Sequence, residues 1–138
     1  MSVEDEVLKE LNELRSSVSG VEGCVVSTSD GLLVAHVLPE EEQSQVAALI
    51  ATMTAVARQA VQITGRGELV EAAIRGDAGH LVVYAVADTA VLAVLGRPGL
   101  NIALLQLRTR PVVARLEALA GGFTQFSSIG AMVSGRPY

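Results

Sequence analysis

His36, His80, Cys24 and the aspartates Asp30, Asp77 and Asp88 are the residues of this chain whose types could carry chemistry. Nucleophilic catalysis needs a nucleophile beside a base, and a metal centre needs clustered His, Cys or carboxylate ligands. The two histidines fall on different predicted strands, and neither has a Cys or carboxylate at ligand spacing. His80 follows a turn and is expected to be exposed; His36 alternates with Val37 and is expected to be half-buried. Cys24, followed by Val25 and Val26, reads as a small buried strand residue and has no second Cys to bridge. Asp30, Asp77 and Asp88 stand at predicted turns, where Asp is favoured for its local hydrogen bonds. No residue is therefore assigned as catalytic, metal-ligating or cofactor-binding.

Nucleotide binding finds little support in the sequence. Gly65-Arg66-Gly67 follows a helix, whereas a phosphate loop precedes one and carries a Lys and a hydroxyl at fixed offsets. Arg108, Arg110 and Arg115 cluster in the last predicted helix. Such a set reads either as a solvated face or as a surface for an acidic patch on a partner, with Arg108 and Arg110 the candidate contacts.

The elements that must position these residues can be read from periodicity. Ser2 and Asp5 resemble a capping box ahead of Val3, Val7, Leu11, Leu14 and Val18 at helical spacing. Strands are expected over 23–29 and 32–38, joined at Asp30-Gly31, a strong hairpin signal. Pro39 closes the second strand, and Glu40-Glu41-Glu42 lies at the start of a long helix, favourable against its dipole. Val46, Leu49, Ile50, Met53, Ala57, Ala60, Val61 and Thr64 form that helix's main stripe. Strands follow at 68–75, 80–87 and 90–96, then a helix from Asn101 to about Ala120. Pro111 is expected to kink or split this helix, because it has no donor for the Leu107 carbonyl. Gly121-Gly122 ends it, leaving a Gly/Ser-rich tail over 121–138.

The order α-β-β-α-β-β-β-α with short links implies antiparallel pairing. Residues 81–87 and 90–95 are apolar on both alternations, so helices must cover both faces of the sheet in three layers. Five strands span about 24 Å, more than one helix of ~10–12 Å covers. The central helix carries Ala47, Ala48, Ala51 and Ala55 away from its main stripe. They read as a helix–helix dimer seam or simply as good helix formers. The following strand, through Leu69, Glu71 and Ala73, is an expected sheet edge that a second copy could extend.

The chain has 138 residues, 50% hydrophobic and 18% charged, which suits one folded domain and excludes disorder. Aromatic residues make up 3% and the net charge is −5, which argues against stacking on single strands and against duplex binding. Carboxylates concentrate in residues 1–50, and every cation after Arg15 is Arg. That asymmetry fits either a protein partner or plain solubility. The acidic N-terminus lacks the features of a signal peptide, and the longest apolar candidate, 81–95, is broken by Asp88-Thr89. The expectation is a cytoplasmic protein without a membrane span. Phe123 and Phe126 lie in the tail, either as part of a frayed end or as anchors of a docking segment.

Certain strings, in this order and spacing, resemble the roadblock (dynein light-chain type) family in its bacterial MglB-like branch. They are Gly20-Val21-Glu22-Gly23-Cys24-Val25-Val26, Ser29-Asp30-Gly31-Leu32-Leu33-Val34-Ala35, Gly65-Arg66-Gly67-Glu68-Leu69, Ile74-Arg75-Gly76 and Ala90-Val91-Leu92-Ala93-Val94-Leu95. The resemblance spans about residues 4–120, a roadblock-like domain over 1–120. It implies a three-layer αβα fold: a five-stranded antiparallel sheet with the central helix on one face and the terminal helices on the other. It also implies a homodimer, built on the central helix and the next strand, that regulates or scaffolds a small Ras-like (MglA-type) GTPase in signalling or cell polarity. No cofactor, catalytic motif or nucleic-acid partner comes with it. A different reading of such αβα sheets is a sensor domain that binds a small ligand. Without a phosphate loop, the purified protein should not bind GTP with a dissociation constant below roughly 10 μM. Nucleotide titration by calorimetry checks this, and tighter binding refutes it.

Overall fold

The computed structural model describes residues 2–38 and 43–123; Pro39, the Glu40-Glu41-Glu42 run and Phe126 lie outside them. Helix α1 spans Val3–Ser17 and opens with a complete capping box: the Asp5 amide donates to Ser2 Oγ at 3.1 Å, and the Ser2 amide donates to Asp5 Oδ2. Those hydrogen bonds to Ser2 hold the Asp5 carboxyl below its ordinary pKa. Strands β1 (Val21–Thr28) and β2 (Leu33–Val37) form the expected hairpin. At its turn the Thr28 hydroxyl donates to the Asp30 carboxylate and accepts from the Leu32 amide, while Gly31 takes φ +92°, a conformation few side chains tolerate.

Helix α2 (Gln43–Ile63) follows, then β3 (Glu71–Gly76), β4 (Gly79–Val86), β5 (Ala90–Gly96) and α3 (Ile102–Leu119). The five strands are antiparallel in the order β2-β1-β5-β4-β3, so β2 and β3 are the edges. Strand boundaries differ from expectation by up to three residues, most at β3, which begins at Glu71 rather than near Glu68.

Both faces of the sheet are covered, which is why β5 is apolar on both alternations. Cys24, Val26, Val82, Tyr84, Leu92 and Val94 face α1 and α3 and pack with Leu11, Leu14, Leu105 and Leu116. Val25, Val83, Val91 and Ala93 face α2 and meet Ile50 in a smaller core.

The C-terminal part departs from the sequence reading. Helix α3 is continuous through Pro111 and is not split. Pro111 and Leu107 share the exposed side of the helix, so the Leu107 carbonyl that loses its donor lies where water can serve it. After Leu119 the chain tightens into a 3-10 turn, Ala120–Phe123, instead of leaving the domain. Gly122 runs close against α1, where a Cβ would sit 2.7 Å from Val3 Cγ2. That approach delivers Phe123 into the larger core, 1% exposed. Phe123 is thus a core residue, which corrects its reading as a partner contact outside the domain.

Phe123→Ala should cost about 3–5 kcal/mol, the usual loss for a buried Phe. Urea unfolding measures it, and a loss under about 1 kcal/mol would contradict this placement.

Candidate functional site

Chemistry-bearing groups do not converge. His80 Nε2 lies 3.2 Å from the Pro98 carbonyl, and His36 Nδ1 is buried with no partner among the described residues. Burial pushes the Cys24 thiol up to about 12, so it stays protonated and a poor nucleophile. Among the described residues, no three His, Cys, Asp or Glu side chains could jointly hold a metal ion. Asp30 and Asp88 occupy turns; Asp88 lies 3.9 Å from Arg58.

What the structure does assemble is an apolar surface. Helix α2 contains a single charged residue, Arg58, whose guanidinium donates to the Ala87 carbonyl at 3.0 Å. On the side turned away from the sheet, Leu49 and Val56 are each 62% exposed and Ile63 is 82% exposed. Their spacing of seven keeps them on one stripe. Ala48, Thr52 and Ala55 are exposed beside it.

The four alanines named from the sequence therefore divide. Ala48 and Ala55 face outward, but Ala47 is fully buried and Ala51 is 7% exposed. Ala51 packs near Gly31 of the hairpin. Small side chains at 47 and 51 let α2 sit close on its own sheet; they cannot form an outer seam. Of the large outward residues, Leu49 belongs to the stripe expected from the sequence, and Val56 and Ile63 lie outside it. Its exposed polar residues Gln45, Thr52, Gln59 and Gln62 are uncharged and its one charge is Arg58, so no charged face marks which side points outward. Residues Ser44–Ile63 are long and apolar enough, with mean hydropathy 1.4, to cross a membrane by length and composition. Here Ala47, Ile50, Ala51 and Thr54 are buried inside the fold.

A second uncovered region adjoins the first. Helix α2 lies over β1, β2 and β5 and reaches β4. Ala72 pairs with Val83 and Ile74 with Leu81, so these β3 residues project from the α2 side of the sheet. Ile74 is exposed and Ala72 half-buried; Val70, just before the strand, is exposed. Glu71 and Ala73 project from the opposite side, with Tyr84 and Val82. Glu71 accepts from Gln106 of α3 at 2.9 Å, Leu69 is buried, and Ala73 is exposed. Among Leu69, Glu71 and Ala73, then, two are engaged within their own chain; the β3 residues on the α2 side are Ala72 and Ile74, with exposed Val70 just before the strand. Arg108 and Arg110 are exposed on α3, and neither has a carboxylate within 4.0 Å among the described residues.

Known proteins share this arrangement. The family model of the Roadblock/LC7 domain matches residues 7–96. A Roadblock/LC7 domain from Streptomyces avermitilis superposes with TM-score 0.75 at 19% identity, covering 80% of this chain and 94% of that one. MglB of Myxococcus xanthus gives 0.79 at 16% identity, over 87% and 91%. The gliding protein MglB of Thermus thermophilus gives 0.78 at 15%, over 88% and 93%. An MglB with a tetrameric arrangement gives 0.79 at 15% identity, over 89% and 93%. No curated protein sequence matches. The five-stranded antiparallel sheet with helices on both faces, together with the match over residues 7–96, establishes that this chain belongs to the Roadblock/LC7 family.

Proposed function

We propose that this chain is a homodimeric regulator or scaffold of a small Ras-like GTPase, acting in the bacterial cytoplasm in signalling or polarity. The observation that carries the reading is the charge-free stripe of Leu49, Val56 and Ile63 beside the uncovered end of the sheet at Val70 and Ile74. Contiguous exposed apolar surface of this kind marks an interaction site. A second copy fits it, because a twofold contact would let each α2 lie over the other copy's β3–β4 end while the β3 edges pair. Five large side chains per copy, each contributing about 1–2 kcal/mol on burial, offset the roughly 4–15 kcal/mol cost of association. Membership in the Roadblock/LC7 family and likeness to MglB support a GTPase as the further partner. Arg108 on α3 is the proposed contact for an acidic patch on that GTPase, with Phe126 a further candidate. The chain supplies no catalytic group in this reading; any effect on GTP hydrolysis works through the GTPase's own residues.

Val56→Glu should give a folded monomer, because a carboxylate in the seam cannot be desolvated cheaply. Ala55→Glu should act similarly, whereas Ala51→Glu would strike the chain's own core. Sedimentation equilibrium with circular dichroism decides; both exposed variants remaining dimeric would place the seam elsewhere. The regulatory reading has its own measurement, binding and GTP turnover of a Ras-like GTPase from the same organism with this protein added. Binding tighter than ~100 μM is expected. No binding at that level sinks the GTPase reading and leaves the dimer standing.

A further inference from the structure

The sheet has a second edge, β2, on the side away from β3. Its residues, Leu33-Val34-Ala35-His36-Val37, include no Lys, carboxylate or proline, the residues that commonly keep an edge strand from pairing. The β3 edge, by contrast, carries Glu71 and Arg75. A register shift between Val26 and Ser27 lies at the hairpin end of the strand, and Ala35, His36 and Val37 pair regularly with Val26, Val25 and Cys24. Among the described residues, β2 makes no main-chain hydrogen bond outside its own hairpin. Its outer side is an open template for another strand.

The helix above this edge is shaped to match. Helix α1 packs on both β1 and β2 and against α3, while α3 lies over β4. Arg115 of α3 donates to Glu10 of α1 at 2.7 Å, which fixes the side of α1 that meets α3. Leu8 stands two residues from Glu10, about 200° round the helix, and so overlooks the β2 edge. It is 36% exposed there. Glu4 and Arg15 share that side, both exposed, and neither has an ion-pair partner within 4.0 Å among the described residues. Paired strands stand about 4.8 Å apart, so two copies joined β2 to β2 would hold their α1 helices about 10 Å apart. That is the distance at which helices pack. A twofold axis makes the two helices antiparallel and sets the Glu4 end of each against the Arg15 end of the other, with both Leu8 side chains between.

We propose that the β2 edge and the Leu8 side of α1 form a second self-association surface, on which another copy of this chain pairs antiparallel, strand to strand and helix beside helix. A second copy is the occupant because the stripe carries one charge of each sign and complements itself only in reversed order; a segment of uniform charge would meet a like charge at one end. Neither α2 nor β3 takes part, so this contact would join dimers into tetramers. A short strand, one leucine per copy and exposed ion pairs make it weak, with a dissociation constant on the order of 100 μM.

Sedimentation equilibrium of the full-length chain from ~10 μM to ~1 mM is the test. The average mass should double across that range. Leu8→Glu, at an exposed position, should keep the circular dichroism of the parent and weaken the doubling at least tenfold. Arg15→Glu should weaken it several-fold, and Glu4→Arg added to Arg15→Glu should restore it, which a loss of helix stability would not do. In Val56→Glu the same step should run from monomer to dimer, so failure of the α2 seam and failure of this contact give different masses. No doubling by ~1 mM overturns the proposal, as does doubling that Leu8→Glu leaves unchanged or a double variant no better than Arg15→Glu alone.

Discussion

A mismatch of widths between the two sides of the sheet governs how this molecule is organised. On one side two helices, α1 and α3, share the work of covering five strands, and the core there holds Leu11, Leu14, Leu92, Leu105, Leu116 and Phe123. On the other, α2 works alone and centres on β1, leaving the β3 end open. Burial of apolar surface is the main favourable term in folding, so an apolar strand left uncovered is unspent driving force. The outward stripe of α2 borders that opening. Its chemistry differs from an ordinary surface helix, whose outer face is charged.

The opposite side shows a different economy. There the helices fill the width, yet α3 does not close completely over the start of β3. The cleft is lined by Tyr84 and Thr109, both nearly inaccessible, and by the charged residues Glu71, Arg110 and Glu117. Polar groups at such a place are arranged in pairs wherever the chain supplies a partner: Glu71 with Gln106, Glu117 with Ala87.

Much of the fold was legible because local rules agreed with one another. The capping box of Ser2 and Asp5, the Asp30-Gly31 turn and the two-sided apolar strands each have one structural solution, and together they fix the element order. The site was less legible, for three physical reasons. Helix α2 lacks the charged face that would orient it, so its sequence does not show that Ala47 and Ala51 are the close-packing residues of the inner face. Strand alternation places Leu69 and Glu71 on the α3 side, but parity is defined only once the register of β3 on β4 is known. Phe123 follows two glycines, a pattern that normally ends a domain; only the close passage of Gly122 over Val3 turns the chain back inward. Pro111 leaves α3 unbroken, because the cost of a helical proline depends on whether water can reach the orphaned carbonyl.

The turn between β4 and β5 joins features that otherwise look separate. Ala87 adopts φ +50°, rare for a residue with a side chain. Its amide is held by Glu117 of α3, and its carbonyl by Arg58 of α2. The neighbouring Asp88 and Thr89 carbonyls accept from the Ser29 hydroxyl and amide of the β1–β2 hairpin. One short stretch of backbone is thereby riveted to both outer layers and to the far hairpin. Arg58 belongs to the helix with the apolar stripe, and Glu117 to the wall of the cleft. Neither helix can slip along the sheet without pulling on the same residue, so the two faces of this small domain share a mechanical anchor.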